Sequence, residues 1–189
     1  ESVELVIVYP NEFEEQAQRL ADHREDYSGL RVELVEINEI FNEFSSGKQD
    51  PTAIRDFAHL IYNRDTTFKY LLLFGDGSFD YRNIGERSGN FITVYETDHS
   101  ENPITAFPSD DYFALLEAGE GANLRGDLDI AVGRLPVKTQ QEARQVVDKI
   151  IRYDLSPTAL GSWRNELVFL ADDEDNNLHI NDTDRIARI

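Results

Sequence analysis

The stretch YLLLFGDGSFD, residues 70–80, decides the fold of this chain. Its first five residues are all apolar or aromatic, and such a run predicts a strand whose two faces are both covered by helices. The glycines at positions 75 and 77 then let the backbone turn sharply where the strand ends. In α/β proteins, ligands bind outside the ends of the parallel strands. We therefore expect a site near this turn, which Asp76 could face.

The segments on either side repeat the pattern of strand and helix. Residues 4–9 (ELVIVY) and 129–135 (DIAVGRL) predict two more buried strands, and residues 30–37 alternate apolar and acidic side chains, as expected near a sheet edge. The clearest helices begin after Asp50 and after the capping box Thr139-Gln140-Gln141-Glu142. This alternation predicts an α/β fold with a mostly parallel sheet and helices on both faces.

Residues 75–126, called the excursion below, interrupt this alternation. They contain clusters of turn residues and two short pieces that favour β structure, 91–95 and 112–116. A connection of this length in a compact domain is usually functional. We therefore predict that the excursion lies over the ends of the strands.

Composition limits the possible functions. The chain has 189 residues, of which 40% are hydrophobic, enough for one well-buried domain. The net charge of −19 argues against nucleic acid as a partner, because phosphate would be repelled. With no cysteine, these residues contain no disulfide, thiolate ligand or cysteine nucleophile. The first residue is Glu and not Met, from which we expect a piece of a longer protein.

Two acidic turns are candidate sites for a cation. Asp76 and Asp80 follow the central strand, and Asp110 and Asp111 lie in the excursion. Carboxylate oxygens are the ligands that hard cations prefer. At both places the acids can instead belong to a tight turn that an aspartate side chain closes. From the pattern alone we favour that interpretation over a cation site.

One arginine and the histidines are weaker candidates. Arg134 could bind a carboxylate through both arms of its guanidinium or pair with a neighbouring acid, and we favour the pairing. His23 and His59 lie on predicted helices and are expected at the surface or its boundary, while His99 falls in the excursion. His179 is the histidine near the acidic segment described next.

The last predicted strand, Leu167 to Leu170, runs into four consecutive acids, residues 172–175. At a partly buried sheet edge these acids would repel one another and require a cation or base nearby. They would be equally at home in a solvated loop before a helix, with Asp182 as a possible helix cap. The pattern leaves these two interpretations even.

Four segments, in order along the chain, resemble one family of enzymes. They are YLLLFGDGSFDYRN (70–83), PSDDYFALLEAGEG (108–121), DLDIAVGRLPVKTQQEA (127–143) and SWRNELVFLADDEDNN (162–177). Over nearly its whole length the chain resembles the gingipain-type (C25) cysteine peptidases, and within them it is most similar to the sortase-like signal peptidases of the type IX secretion system. The resemblance implies a caspase-like α/β fold of two side-by-side subdomains, with the catalytic His and Cys both in the second. Residues 1–163 would form the first subdomain, and 164–189 the truncated start of the second.

The resemblance also implies roles for individual residues. The family has an acid after this last strand that supports the catalytic imidazole; Glu174 matches it best, and the neighbouring Asp173 is the alternative. The stretch around that acid contributes to the pocket for the residue before the scissile bond, which implies substrate binding by Asp173, His179 and Asp182. Arginine-specific relatives have an acid where His179 stands here, so arginine specificity is not implied. Relatives bind calcium, and the candidate ligands here are Asp76, Asp80, Asp110 and Asp111.

The implied function is that of an endopeptidase or sortase that removes the C-terminal sorting domain from secreted cargo at the outer membrane, facing the cell exterior. Its partners would be that cargo, other components of the secretion system and the remainder of its own catalytic domain. Without the catalytic pair this chain is expected to be inactive alone, and its chemistry requires no cofactor beyond a possible structural Ca²⁺. The alternative is a non-enzymatic, calcium-dependent module that binds a protein or glycan. A His-Gly turn and a later Cys in further sequence would favour the enzyme.

Overall fold

The computed structural model describes residues 2–80, 89–97, 101–102 and 105–188. They divide into two compact units, Glu1–Ile151 and Arg152–Ile189. His99 and the end of the 70–83 segment lie outside the described residues. Among the helices described, none is long and apolar enough to cross a membrane.

A parallel sheet of four strands forms the centre of the first unit. In chain order the strands are β1 (Leu5–Tyr9), β2 (Val32–Glu36), β3 (Tyr70–Phe74), β4 (Tyr95–Glu96), β5 (Pro108–Ser109) and β6 (Ala131–Leu135). The sheet has the order β2-β1-β3-β6, with every neighbouring pair parallel. β4 and β5 form a separate antiparallel ribbon inside the excursion. The predicted α/β fold with a mostly parallel sheet is confirmed.

Helices cover both faces of this sheet. They are α1 (Glu14–Ser28), α2 (Ile37–Ser45), α3 (Pro51–Arg64) and α4 (Gln140–Leu155), and α5 (Glu174–Ala187) lies in the second unit. Successive side chains of β1 point to opposite faces, so Leu5 and Ile7 pack with residues of α1 and α4, while Val6 and Val8 pack with α2 and α3. The near-continuous apolar runs of the sequence follow from this double coverage.

The local signals at two helix starts are confirmed. The Asp50 carboxylate accepts a hydrogen bond from the Thr52 N–H at 2.8 Å, directly before α3. At the start of α4 the Glu142 N–H donates to Thr139 Oγ1 and the Thr139 N–H donates to Glu142 Oε2, each at 3.1 Å. This reciprocal pair is the capping box that the sequence predicts.

Other expectations are wrong. The segment 112–116 is not a strand, because residues 110–114 form a 3₁₀ turn, and only the end of 91–95 joins a strand. Helix α2 was not predicted at all. His23, which was expected at the surface or its boundary, is buried in α1.

In the second unit Leu167 to Leu170 has no regular secondary structure and pairs with no strand among the described residues. The predicted strand is therefore absent from this structure. Its side chains explain why: Leu167 and Leu170 are 84% and 91% exposed, so no neighbouring sheet covers them. A strand is stable only when a partner satisfies its backbone and covers its apolar face.

Candidate functional site

The chain changes direction across the sheet between β1 and β3. From β1 it passes outward to β2, then returns past β1 to β3 and continues outward to β6. The crevice outside the ends of β1 and β3 is therefore the switch point at which such sheets bind ligands. We call the edge of the sheet at which the parallel strands end the carboxyl edge. The excursion starts at this edge with Gly75 to Asp80, directly after β3.

Arg134, near the end of β6, is the centre of the hydrogen-bond network at this edge. Its Nε and Nη2 donate to the two oxygens of Asp110 at 2.9 and 2.8 Å. Its Nη1 donates to the carbonyl oxygens of Gly75 and Ile92, both at 2.9 Å, and Nη2 also reaches the Thr93 carbonyl at 3.2 Å. The arginine side chain is only 10% exposed. The predicted pairing of Arg134 with a neighbouring acid is confirmed.

The turn after β3 leaves no room for side chains at its glycines. A Cβ at Gly75 would lie 2.9 Å from Phe91 Cβ, and one at Gly77 would lie 2.6 Å from the Ile92 carbonyl oxygen. Neither glycine is marked by a left-handed backbone. Glycine is needed here because the excursion passes very close, and the sharp turn expected from the sequence is the lesser reason.

Asp76 holds the same segment through its main chain. Its N–H donates to the Val137 carbonyl at 3.0 Å, and its carbonyl accepts from the N–H groups of Phe91 and Ile92. Its carboxylate lies 3.0 Å from Lys138 Nζ. The negative charge at the switch point thus already faces a lysine, which is compatible with the closed turn that the sequence favoured.

The structure does not assemble the four candidate calcium ligands into one site. Both oxygens of Asp110 are bound by Arg134, and the Asp111 N–H is capped by Ser109 Oγ at 3.2 Å. The Asp80 N–H similarly donates to Ser78 Oγ at 3.1 Å. Within the part of the chain that is described, no group of three or more acidic or histidine side chains is arranged to hold a metal. Calcium binding stays a prediction.

A second arginine, Arg55 on α3, holds the far end of the excursion. Its Nε donates to the Leu115 carbonyl at 2.7 Å, and Nη2 donates to the Glu120 carbonyl at 3.2 Å. The guanidinium also lies 5.7 Å from the ring centre of Tyr112, which stacks on Tyr95 at 4.0 Å. The sequence did not identify Arg55, because its partners are main-chain carbonyls some 60 residues away that leave no mark in the residue types.

Asp129 lies between the end of the excursion and β6. Its carboxylate accepts from the Leu116 N–H at 2.8 Å and from the Tyr62 hydroxyl at 3.1 Å. The hydrogen bond to Asp129 and the charge of that carboxylate raise the pKa of Tyr62, because both favour the protonated phenol. The return of the chain into the sheet is therefore tied to α3.

In the second unit the side chains of Asp172, Asp173 and Glu174 are exposed, and the side chain of Asp175 lies outside the described residues. Of the two even interpretations, these three acids match the solvated loop before a helix. Glu174 is the first residue of α5, and Asp173 precedes it without making a side-chain cap. Asn176 and Asn177 have φ of 58° and 63°, a left-handed conformation that asparagine tolerates better than most residues. Both asparagines lie in the first turn of α5, which begins at Glu174.

The pocket candidates lie further along α5. His179 and Asp182 are both exposed, and the Asp182 carboxylate pairs with Arg185 at 3.3 Å. Asp182 lies inside the helix, so the expectation that it caps a helix start is wrong. The assigned roles of Glu174, Asp173, His179 and Asp182 stay predictions.

Comparisons with known proteins give the family. The model of peptidase family C25 matches residues 1–189. The crystal structure of dimeric latent PorU from Porphyromonas gingivalis is 32% identical over 93% of this chain, with a TM-score of 0.69. A comparison with curated protein sequences gives no significant match.

Two structures of the gingipain RgpB are less similar in sequence. One is the complex of the pro- and mature domains of RgpB from Porphyromonas gingivalis, 18% identical over 79% of this chain, and the other is the Arg-specific cysteine proteinase itself, 17% identical over 80%. Both have a TM-score of 0.58, which shows a shared fold. The chain spans 18% of the PorU chain and 29% and 28% of the two RgpB chains.

Proposed function

The chain belongs to peptidase family C25, and from this premise we propose that it is the amino-terminal part of the catalytic domain of a cysteine endopeptidase or sortase. The substrate would be the C-terminal sorting domain of proteins secreted by the type IX system. Residues 1–163 would be the first subdomain and 164–189 the start of the second. The protein would act at the outer membrane, on the extracellular side, together with its cargo and other components of that system.

The observation that carries this proposal is the family match over all 189 residues, none of which is a cysteine. A C25 peptidase acts through a cysteine nucleophile, so the chain would supply structure and substrate contacts and would not itself attack the peptide bond. The exposed apolar segment 167–170 supports the same division. Its residues have the sequence pattern of a buried strand but are exposed, as expected if the remainder of the catalytic domain provides the neighbouring strands.

Glu174 is proposed to orient the catalytic histidine. An acid that accepts a hydrogen bond from one ring nitrogen fixes the tautomer, so that the other nitrogen can take the proton of the nucleophile. It also stabilises the imidazolium that forms. The left-handed backbone of Asn176 and Asn177 supports this role, because left-handed residues of this kind cluster at functional sites.

Asp173, His179 and Asp182 are proposed to contact the residue before the scissile bond. His179 brings no negative charge to this position, whereas an acidic pocket would select arginine or lysine. We therefore propose that the enzyme does not require arginine at this position. Structural calcium, with Asp76, Asp80, Asp110 and Asp111 as the candidate ligands, remains part of the proposal; to bind the ion, Asp76 and Asp110 would have to share their carboxylates with Lys138 and Arg134.

The test uses the complete peptidase that contains this chain. Glu174→Gln should lower kcat by roughly a hundredfold or more without changing the melting temperature, since it removes the charge that stabilises the imidazolium. Asp172→Asn, two residues earlier and equally exposed, is the matched control and should retain activity. The complete enzyme should be inhibited by iodoacetamide, and residues 1–189 alone should cleave nothing. Full activity of Glu174→Gln would remove the assigned role, and thiol-sensitive cleavage by residues 1–189 would contradict the division of the domain.

A further inference from the structure

Arg134 joins segments that are far apart in the sequence. One guanidinium makes five hydrogen bonds, which connect β6 to the end of β3, to residues 92–93 and to Asp110 at the start of the 3₁₀ turn. Arginine suits this position because its planar fork presents donors in several fixed directions, whereas lysine is a single point charge. The two oxygens of Asp110 and three main-chain carbonyls use the whole fork.

The surroundings require the excursion to stay in this position. The cramped contact between Gly77 and Ile92 forms only if the two segments lie against each other, and Arg134 Nη1 lies 3.3 Å from the place of a Gly77 Cβ. The Phe91 and Ile92 N–H groups then reach the Asp76 carbonyl at 2.9 and 3.1 Å. The network therefore fixes the excursion relative to the switch point.

The excursion presents side chains to solvent that the core does not use. Phe107, which ends the loop before β5, is 49% exposed, and Phe79 is 65% exposed. The main chain of Phe107 is held by Thr97 through two hydrogen bonds of 3.3 Å, so the residue is fixed by the ribbon that leads to Asp110. What this surface offers to a ligand therefore depends on the position that Arg134 imposes.

We propose that Arg134, with Asp110, is the positioning residue that sets residues 75–80, 91–93 and 107–110 of the excursion for substrate binding by the complete peptidase. This inference rests on the proposed function. The parts of the excursion that are held at the carboxyl edge, residues 75–77, 91–93 and Asp110, contain none of the residues proposed for the chemical step. Displacing it should therefore weaken binding of substrate and transition state alike, which raises KM and leaves kcat nearly unchanged.

The test measures kcat and KM of the complete peptidase with an internally quenched peptide that the wild type cleaves. Arg134→Lys should raise KM about tenfold, because charge remains but most of the fork is lost, while kcat stays within about twofold. Asp110→Asn should act in the same direction, and the double variant should be no worse than the more affected single variant, since the two residues act as one unit. Arg144→Gln is the matched control, because within the described part of the chain the ion pair of Arg144 is an exposed, distant one with Glu15 at 3.9 Å.

Amide hydrogen exchange supplies a second measurement. In Arg134→Lys the amides of Phe91 and Ile92 should exchange faster than in the wild type, while those of β1 stay unchanged. An active wild type whose Arg134→Lys variant keeps its KM would overturn the inference alone. A variant that loses kcat in proportion to its folded fraction, with KM unchanged, would likewise show a merely structural role. If the wild type cleaves no peptide, the proposed function fails and the inference falls with it.

Discussion

Gly77 and Gly133 are glycines in opposite situations, and they allow close packing to be tested at the scale of one methyl group. A Cβ at Gly77 would lie 2.5 Å from Val94 Cγ1 and 2.6 Å from the Ile92 carbonyl oxygen, whereas one at Gly133 would meet nothing within 4 Å. Gly77→Ala should therefore cost about 1–3 kcal/mol of unfolding free energy, the usual range for overpacking. Gly133→Ala should be neutral or stabilise by up to about 1 kcal/mol, because it restricts the unfolded chain. Urea unfolding of both variants decides this, and equal stabilities would contradict the close contact.

The carboxylate of Asp65 makes the stability of the folded chain depend on pH. It accepts hydrogen bonds from the Thr67 hydroxyl at 2.6 Å, the Thr67 N–H at 2.9 Å and the Val3 N–H at 2.6 Å, and these bonds lower its pKa. Because the folded pKa lies below the unfolded one, the stabilisation is present above the unfolded value of about 3.9 and is lost as pH falls through the folded value.

The Asp65→Asn variant should therefore lose less melting temperature than the wild type between pH 6 and pH 3. Thermal unfolding monitored by circular dichroism measures the difference, with Asp56→Asn on the exposed side of α3 as the control. An identical pH profile for the wild type and Asp65→Asn would show that the three hydrogen bonds do not affect stability.

Among the elements, the segment 167–170 behaves differently from every strand of the sheet. Leu73 in β3 is fully buried, while Leu167 and Leu170 are almost fully exposed. In residues 1–189 alone, Leu167→Asp and Leu170→Asp should leave the melting temperature unchanged and raise solubility, since they remove exposed apolar surface. Leu73→Asp should prevent folding, because it buries an unpaired charge. In the complete peptidase we expect the two exposed positions to become as sensitive as Leu73. If they stay insensitive there, no neighbouring sheet covers the segment.

The elements also show how far sequence patterns extend. The strands β1, β3 and β6 and the starts of α3 and α4 could be predicted, because their signals are local: apolar runs, and the caps at Asp50 and Thr139. Helix α2 could not, since it follows β2 directly and no glycine or proline marks the boundary. Glu36 ends the strand and at once caps the helix by accepting from the Asn38 N–H at 2.9 Å.

The candidate site shows the same limit. The pairing of Arg134 with an acid could be predicted from the abundance of acids, but its partner Asp110 and the three carbonyls are 24 to 59 residues away. Such contacts depend on how the excursion folds back, and the composition of the excursion does not determine that path. Residues 167–170 have the sequence pattern of a strand but do not form one in this structure. A strand depends on neighbouring strands that its own residues do not specify.

The whole molecule carries a net charge of −19, and its stability should depend on salt accordingly. Two effects oppose each other: salt screens the repulsion among the 37 acids, and it also weakens ion pairs such as Arg19 with Asp148 at 2.7 Å. Exposed pairs of this kind contribute only about 0–1 kcal/mol each, whereas self-repulsion grows with the net charge, so screening should prevail. The melting temperature should rise between 20 and 500 mM NaCl. A melting temperature that falls with NaCl would mean that the ion pairs outweigh the repulsion.

A comparison of CaCl₂ with MgCl₂ at equal ionic strength separates charge screening from specific calcium binding. An ion that binds only the folded state raises the melting temperature further, by an amount that depends on its concentration. Equal melting curves in CaCl₂ and in MgCl₂ would remove calcium from the proposal.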